Sequence, residues 1–253
     1  MKPIERQKQI LDYLSQHGRT DVEVLAEYFK LTGATIRKDL TVLEQQNKVL
    51  RTYGSVVILQ DEVFDASIDQ KNHINLLQKQ KIGQKASELI NDGDSIIMDA
   101  GSTVLQMIPH LVKFDNLTVM TNSLHIINGI TQLKKNYNLM ISGGTYRERS
   151  ASFHGYFAES AFNDSTFDTL FIGTDGFDLE VGLTTFNEIY GVSSAMCRAA
   201  KKIVVLADST KFGRKSPNIV CGLEKIDVVI SDSQLSEEMK ERIEQKGIQV
   251  IIV

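Results

Sequence analysis

From residue 95 onward the chain repeats one unit: a short apolar run, a polar loop of Gly, Ser, Thr, Asn or Asp, then residues at helical spacing. Ser95–Met98 runs into Asp99-Ala100-Gly101-Ser102-Thr103, and Leu117–Met120 into Thr121-Asn122-Ser123. Asn138–Ile141 leads to Ser142-Gly143-Gly144, Leu170–Ile172 to Gly173-Thr174-Asp175-Gly176, and Ile203–Leu206 to Ala207-Asp208-Ser209. Val228–Ile230 precedes Ser231-Asp232-Ser233, and 249–253 is a last strand. Runs this short and this apolar are strands buried on both faces, which predicts an α/β domain with helices covering a mostly parallel sheet. Ligands in such sheets sit at the carboxyl ends of the strands, where these polar loops fall.

The first sixty residues read differently. Ile10, Leu11 and Leu14 share a helix face that Gly18 ends; Thr20-Asp21 can cap a second helix carrying Val22, Leu25 and Phe29. After the turn Leu31-Thr32-Gly33, Ile36, Leu40 and Leu43 line the buried side of a third helix. That is the helix-turn-helix order. The outward face of the third helix offers Ala34, Thr35, Arg37 and Lys38, small, hydroxylated or cationic groups suited to the major groove, with Arg able to read guanine through two hydrogen bonds. Residues 48–57 predict a two-stranded wing that brings Arg51 and Tyr53 to the DNA backbone or minor groove. A three-helix module serving protein contact is the alternative reading of the same pattern.

Charge agrees with DNA contact confined to this head. Residues 1–60 hold nine Lys/Arg and seven Asp/Glu, whereas the whole chain carries −4. Two cysteines, Cys197 and Cys221, make neither a disulfide framework nor metal-ligand spacing, and no apolar run reaches the roughly 20 residues that cross a bilayer. The expectation is a cytoplasmic protein without metal, cofactor or membrane partner. The polar, aperiodic stretch 59–76 is expected to link a head, 1–58, to a second domain, 77–253.

Several loops at one sheet edge suit an anion. Gly101-Ser102-Thr103 opens a helix with backbone N–H groups and two hydroxyls, Thr121-Asn122-Ser123 repeats the arrangement, Gly143 and Gly144 follow the next strand, and Lys211 supplies a cation. Each Ser or Thr alone also reads as a helix cap. Asp99 and Asp175 are expected to accept hydrogen bonds from ligand hydroxyls.

Arg6, Ile10 and Leu14, followed by Thr32-x-x-Thr35-Ile36-Arg37-Lys38-Asp39-Leu40, resemble the signature of the DeoR-type regulators. Ser55 departs from it, standing where the family usually has a second wing glycine. Asp39 is expected to orient a basic neighbour or accept a structural hydrogen bond rather than read a base. The second half resembles the family's sensor domain, which is similar in fold to ribose-5-phosphate isomerase and glucosamine-6-phosphate deaminase: Gly101-Ser102-Thr103 is similar to their phosphate loop, Asp175-Gly176-Phe177-Asp178 and Asp208-Ser209-Thr210-Lys211 to isomerase motifs.

The resemblance implies a repressor that binds double-stranded operator DNA as a homo-oligomer, dimer or tetramer. Residues 94–106, 119–126 and 211–221 carry it further, implying a glucitol (sorbitol) utilisation operon as target and glucitol 6-phosphate, or another phosphorylated sugar, as the releasing effector. Activation instead of repression stays open. Catalysis by Asp175, Asp178 or Glu188 is not expected, because the isomerase's glycine-rich lysine loop is replaced by Gly182-Leu183-Thr184-Thr185-Phe186-Asn187-Glu188.

Overall fold

The computed structural model describes residues 3–17, 20–46, 48–52, 55–58, 67–187, 189 and 191–253. The chain divides into two compact units, residues 1–66 and 67–253. Tyr53, Glu188 and the stretch 59–66 lie outside the described residues.

The first unit is a winged helix. Its elements are α1 (Pro3–His17), β1 (Thr20–Asp21), α2 (Val22–Tyr28), α3 (Gly33–Gln45), β2 (Val49–Thr52) and β3 (Ser55–Ile58). β3 is the middle strand of an antiparallel sheet between β1 and β2. Ile10, Leu14, Val22, Leu25, Ile36, Leu40, Leu43, Val49 and Val56 form one core, so the apolar stripes of three helices meet the inner face of the wing. Thr32 caps α3 by accepting a hydrogen bond from the Thr35 N–H. Asp21 precedes α2 in extended backbone but makes no side-chain cap bond. Across the sheet it pairs with Ser55 of β3, which is buried.

The second unit opens with two helices, α4 (Ile68–His73) and α5 (Leu76–Ser87). Residues 67–76, expected as linker, are thus largely helical. Ser67 and Gln70 form a reciprocal capping box at the start of α4, and Asn75, with φ +52°, bends the chain into α5. Then follow β4 (Ser95–Met98), α6 (Ile108–Leu111), β5 (Thr118–Thr121), α7 (Leu124–Gln132) and β6 (Asn138–Ile141). A hairpin of β7 (Thr145–Arg147) and β8 (Ser152–His154) leads to α8 (Tyr156–Ser160) and β9 (Phe167–Ile172). The remainder is β10 (Gly176–Asp178), β11 (Gly182–Thr185), α9 (Gly191–Ala199), β12 (Ala200–Leu206), β13 (Asn218–Cys221), β14 (Val228–Ser231), α10 (Glu237–Glu244) and β15 (Gln249–Ile252).

Seven strands form one sheet in the order β15-β14-β12-β9-β4-β5-β6, and every adjacent pair is parallel. Both faces are covered. Ile97, Met120, Leu170, Ile172, Ile203 and Val205 join the core on one face. Their chain neighbours Ile96, Met98, Val119, Phe171, Val204 and Leu206 join the core on the other. This alternation is the period of two in a strand, and it explains why the runs read as continuously apolar. The antiparallel sheet β10-β11-β13 was not foreseen, because its strands are short and carry polar residues.

The strand order fixes where a ligand can sit. From β4 the chain builds outward through β5 and β6, then returns to β9 on the opposite side of β4 and continues through β12, β14 and β15. The order reverses between β4 and β9, and the crevice beyond the carboxyl ends of such a pair is the natural binding place.

Candidate functional site

At this switch point the loops after β4 and β9 touch. An added Cβ on Gly101 or Gly173 would lie in van der Waals contact with the other's Cα, at 3.4–3.5 Å. The Asp99 N–H donates to Phe171 O at 3.1 Å, and the Gly101 N–H to Asp99 O at 2.8 Å, shaping the turn that presents Ser102 and Thr103. A 3-10 turn, Val104–Met107, continues into α6. α5 packs against that turn so closely that a Cβ on Gly83 would lie 2.6 Å from the Gln106 backbone carbon.

Charge is concentrated here. Asp175, after β9, accepts from the Lys71 ammonium of α4 at 2.7 Å, from the Thr185 hydroxyl at 2.9 Å and from the Phe186 N–H at 3.1 Å. Burial pushes its carboxyl up, but Lys71, Lys211 and these hydrogen bonds outweigh burial and bring it down to about 2. Asp208, after β12, is buried and accepts from the Thr210 hydroxyl and N–H and from Asn75 Nδ2 at 3.1 Å. Burial raises its carboxyl, yet Lys211, Thr210, Lys79 and Asn75 leave it below the ordinary carboxylate value.

Lys79 of α5 is only 3 % exposed, and its ammonium donates to the Lys71 carbonyl. Burial lowers it to about 7; Asp208 and Asp175 pull it back up, while Lys211 and Lys71 push it down. Asp99 moves the other way, to about 6, because burial outweighs its bonds to the Ala100 backbone and the Ser193 hydroxyl. The crevice therefore offers three lysines, a glycine-hydroxyl loop and two carboxylates able to accept hydroxyl hydrogen bonds. It can hold a polyhydroxylated anion.

Of the expected ligand residues, Asp99, Gly101, Ser102, Thr103, Asp175 and Lys211 come together around the switch point. Thr121, Asn122 and Ser123 take scaffold roles. The Thr121 hydroxyl donates to Met98 O at 2.7 Å and accepts from the Ser123 N–H. Ser123 caps α7 through the Ile126 N–H, and Asn122 Nδ2 donates to Phe153 O at 3.2 Å. These are the cap and turn duties that any Ser or Thr at a strand-to-helix junction competes for. Gly143 and Gly144 have φ +64° and +107°. At Gly144 a Cβ would lie 2.5 Å from the His154 carbonyl oxygen, so that glycine serves a close backbone approach.

Lys71, Asn75 and Lys79 escape the sequence reading, which makes 59–76 a linker and sees only a polar, aperiodic run leading into the first sensor helix. One signal was available: Lys79 falls three residues before Ile82 and seven before Ala86, a lysine on an otherwise buried helix stripe.

Asp178 accepts from the N–H groups of Glu180 and Val181, closing the turn between β10 and β11. His154 is buried, with Nδ1 at 2.9 Å from Ile189 O and Nε2 at 2.8 Å from the Ser152 hydroxyl. Burial lowers its pKa, and Arg147 adds to that shift. Among the described residues no cluster of three His, Cys, Asp or Glu could hold a metal, and no helix is long and apolar enough to cross a membrane.

In the head, Ala34, Arg37 and Lys38 project from α3 into solvent. Thr35 is half-buried, its hydroxyl 2.9 Å from that of Thr32. The Arg37 guanidinium donates to Glu23 of α2 at 3.0 Å with both side chains exposed, a pairing weak enough to yield to a phosphate or base. Arg51 of β2 lies against α3, donating to the Thr41 hydroxyl at 3.1 Å and 3.8 Å from Glu44. Asp39 faces inward and accepts from the Arg6 guanidinium of α1 and from Gln7, the structural hydrogen bond expected of it.

Comparison with known proteins agrees with this division. Residues 6–62 match the DeoR-like helix-turn-helix domain and residues 74–233 the DeoR C terminal sensor domain. The chain is 32% identical over 252 residues to a protein named putative aga operon transcriptional repressor from Escherichia coli, covering 98% of this chain and 93% of that one. It is 33% identical over 252 residues to the HTH-type transcriptional regulator GlpR of Haloferax volcanii, covering 99% and 98%. It is 30% identical over 249 residues to the HTH-type transcriptional repressor GlcR of Bacillus subtilis, covering 98% and 95%. Among solved structures, ribose 5-phosphate isomerase A from Methanocaldococcus jannaschii overlaps 55% of each chain at 19% identity and a TM-score of 0.38, too slight to carry an argument. With both domain models matched and relatives aligned end to end, the chain belongs to the DeoR family of transcriptional regulators.

Proposed function

We propose that this regulator represses a sugar-alcohol (glucitol, or sorbitol) utilisation operon and leaves its operator when a phosphorylated sugar or sugar alcohol, glucitol 6-phosphate foremost, occupies the sensor. The observation that carries the effector reading is the switch-point crevice. Lys71, Lys79 and Lys211 gather around Asp175 and Asp208, and Asp99, two residues before the Gly101-Ser102-Thr103 loop, lies within reach of the Asp175 charge. A phosphate dianion matches the lysines and the loop N–H groups. Sugar hydroxyls match Asp99 and Asp175. Thr35, Arg37 and Lys38 read the operator, with Arg51 and Tyr53 at the wing, and the head (1–58) and sensor work in a homo-oligomer, dimer or tetramer, in the cytoplasm. Names among the relatives, an aga operon repressor and the repressor GlcR, support repression as the direction of control.

The test is fluorescence anisotropy of the full chain on DNA from upstream of its own operon, at fixed salt, titrated with glucitol 6-phosphate, free glucitol and a panel of hexose phosphates. Release by glucitol 6-phosphate with free glucitol inert supports the reading. Release by a hexose phosphate alone would reassign the operon, and no release by any phosphorylated ligand would overturn the effector reading.

A further inference from the structure

The start of the sensor is fastened across the ligand crevice by side chains, one after another. Lys71 on α4 pairs with Asp175 beyond β9. Asn75, at the bend, donates to Asp208 beyond β12. Lys79 on α5 donates back to the Lys71 carbonyl, stapling the two helices. Asp69 on α4 lies 3.4 Å from His125 Nε2, at the start of the helix after β5. Segment 67–79 thus reaches the carboxyl ends of three strands, and the chain from the head enters the sensor at Ser67.

We propose that the Lys71–Asp175 pair is the contact through which an occupied crevice is read: paired, it holds segment 67–79 in the DNA-binding state, and a phosphorylated polyol separates it. This rests on the effector reading above and names the device that reading needs. Asp175 has two oxygens and about four acceptor positions. Lys71, Thr185 and Phe186 already occupy three of them. A ligand hydroxyl can take the fourth, while the ligand's phosphate offers the Lys71 ammonium a doubly charged partner. Lys211 remains beside Asp175, so the carboxylate keeps a cation when Lys71 leaves. Lys71 drawn toward the phosphate gives up the position in which it holds the segment, and that change of partner supplies the difference in affinity between two states that a switch requires.

Hydrogen exchange on the full chain, read by mass spectrometry without ligand or DNA, tests the latch first. Lys71→Met keeps the unbranched shape of the side chain, one atom shorter, and removes its charge. Amides of 68–79 are expected to exchange faster in Lys71→Met, with strands 95–98 and 167–172 unchanged, and Lys71→Arg to stay near wild type. On upstream DNA without ligand, Lys71→Met is expected to bind more weakly by about 5- to 150-fold, the range of a single coupling. Wild-type exchange at 68–79 in Lys71→Met overturns the latch, and so does loosening of 68–79 without loss of DNA affinity. Should Lys71→Met disturb the strands as well, Asp175→Asn replaces it with the same expectations. Because these arms contain no sugar phosphate, a failed effector panel and a failed latch give separate results.

Discussion

Two oxygens of Asp39 receive the guanidinium of Arg6, so the first helix of the head is bolted to the recognition helix by a pair that is nearly sealed from water. Asp39 is 4 % exposed at its side chain and Arg6 14 %. Removing one partner strands the other's charge, and for a buried pair that costs about 3–5 kcal/mol. Asp39→Ala should therefore lower head stability by about 3 kcal/mol, with operator binding lost alongside it. Arg6→Lys should restore little, since an ammonium cannot make the two-pronged contact. Thermal denaturation beside DNA titration checks this: a stable Asp39→Ala that has lost DNA binding would make Asp39 a reader after all.

Arg37 predicts the opposite combination. Its exposed pair with Glu23 contributes at most about 1 kcal/mol to folding. Arg37→Ala should leave the melting temperature near wild type while weakening specific operator binding by about 1–3 kcal/mol. Unchanged affinity would take Arg37 off the reading face.

Lys211 separates sensing from DNA binding. Lys211→Ala should keep ligand-free operator affinity and shift the effector concentration for release upward about tenfold or more, the effect of losing one charge-assisted hydrogen bond. Normal release by the mutant would remove Lys211 from the site.

Lys79 makes the sensor pH-dependent. Its pKa falls from 10.5 to about 7, and the charged groups facing it are Lys71 from α4, Asp175 beyond β9, and Asp208 and Lys211 beyond β12. Between about pH 7 and 10.5 the unfolded chain binds this proton and the folded chain does not. Stability from this group therefore rises with pH across that window and is level below it. Effector binding runs against that trend: a phosphate, dianionic above its second pKa near 6, favours the ammonium. Binding above pH 7 should take up a proton and weaken as pH climbs. Calorimetry in buffers of differing ionisation enthalpy measures the uptake; a flat profile would place Lys79 outside the phosphate's reach.

Close approach gives a prediction without charge. A methyl at Gly83 meets the Gln106 backbone at 2.6 Å. Gly83→Ala should push α5 from the turn that follows Gly101-Ser102-Thr103 and cost the sensor about 1–3 kcal/mol, visible in denaturant unfolding.

The head was legible because its rules are local. Thr32 three residues before Thr35, and Ile36, Leu40 and Leu43 on one stripe, are patterns within a single helix and its cap. The sheet was legible because strands covered on both faces are apolar throughout, as at Ile96–Met98. What escaped was set by distance along the chain. Lys71 meets Asp175 across 104 residues and Asn75 meets Asp208 across 133, separations no local pattern encodes, so a polar helix looked like linker. Thr121 and Ser123 show the converse: the same residue types serve an anion or a turn, and their bonds to Met98 and Ile126 are turn and cap bonds that no sequence pattern separates from ligand contacts.

The strand order also sets a schedule. Every core residue of the head lies between Ile10 and Val56, so the DNA-reading unit can fold as soon as that stretch leaves the ribosome. The crevice cannot. β4 waits for β9 to arrive beside it and β9 for β12, and Asp208 and Lys211 come later still. From the emergence of Val56 to that of Lys211, about 155 residues later, the nascent chain carries a complete head core and no crevice.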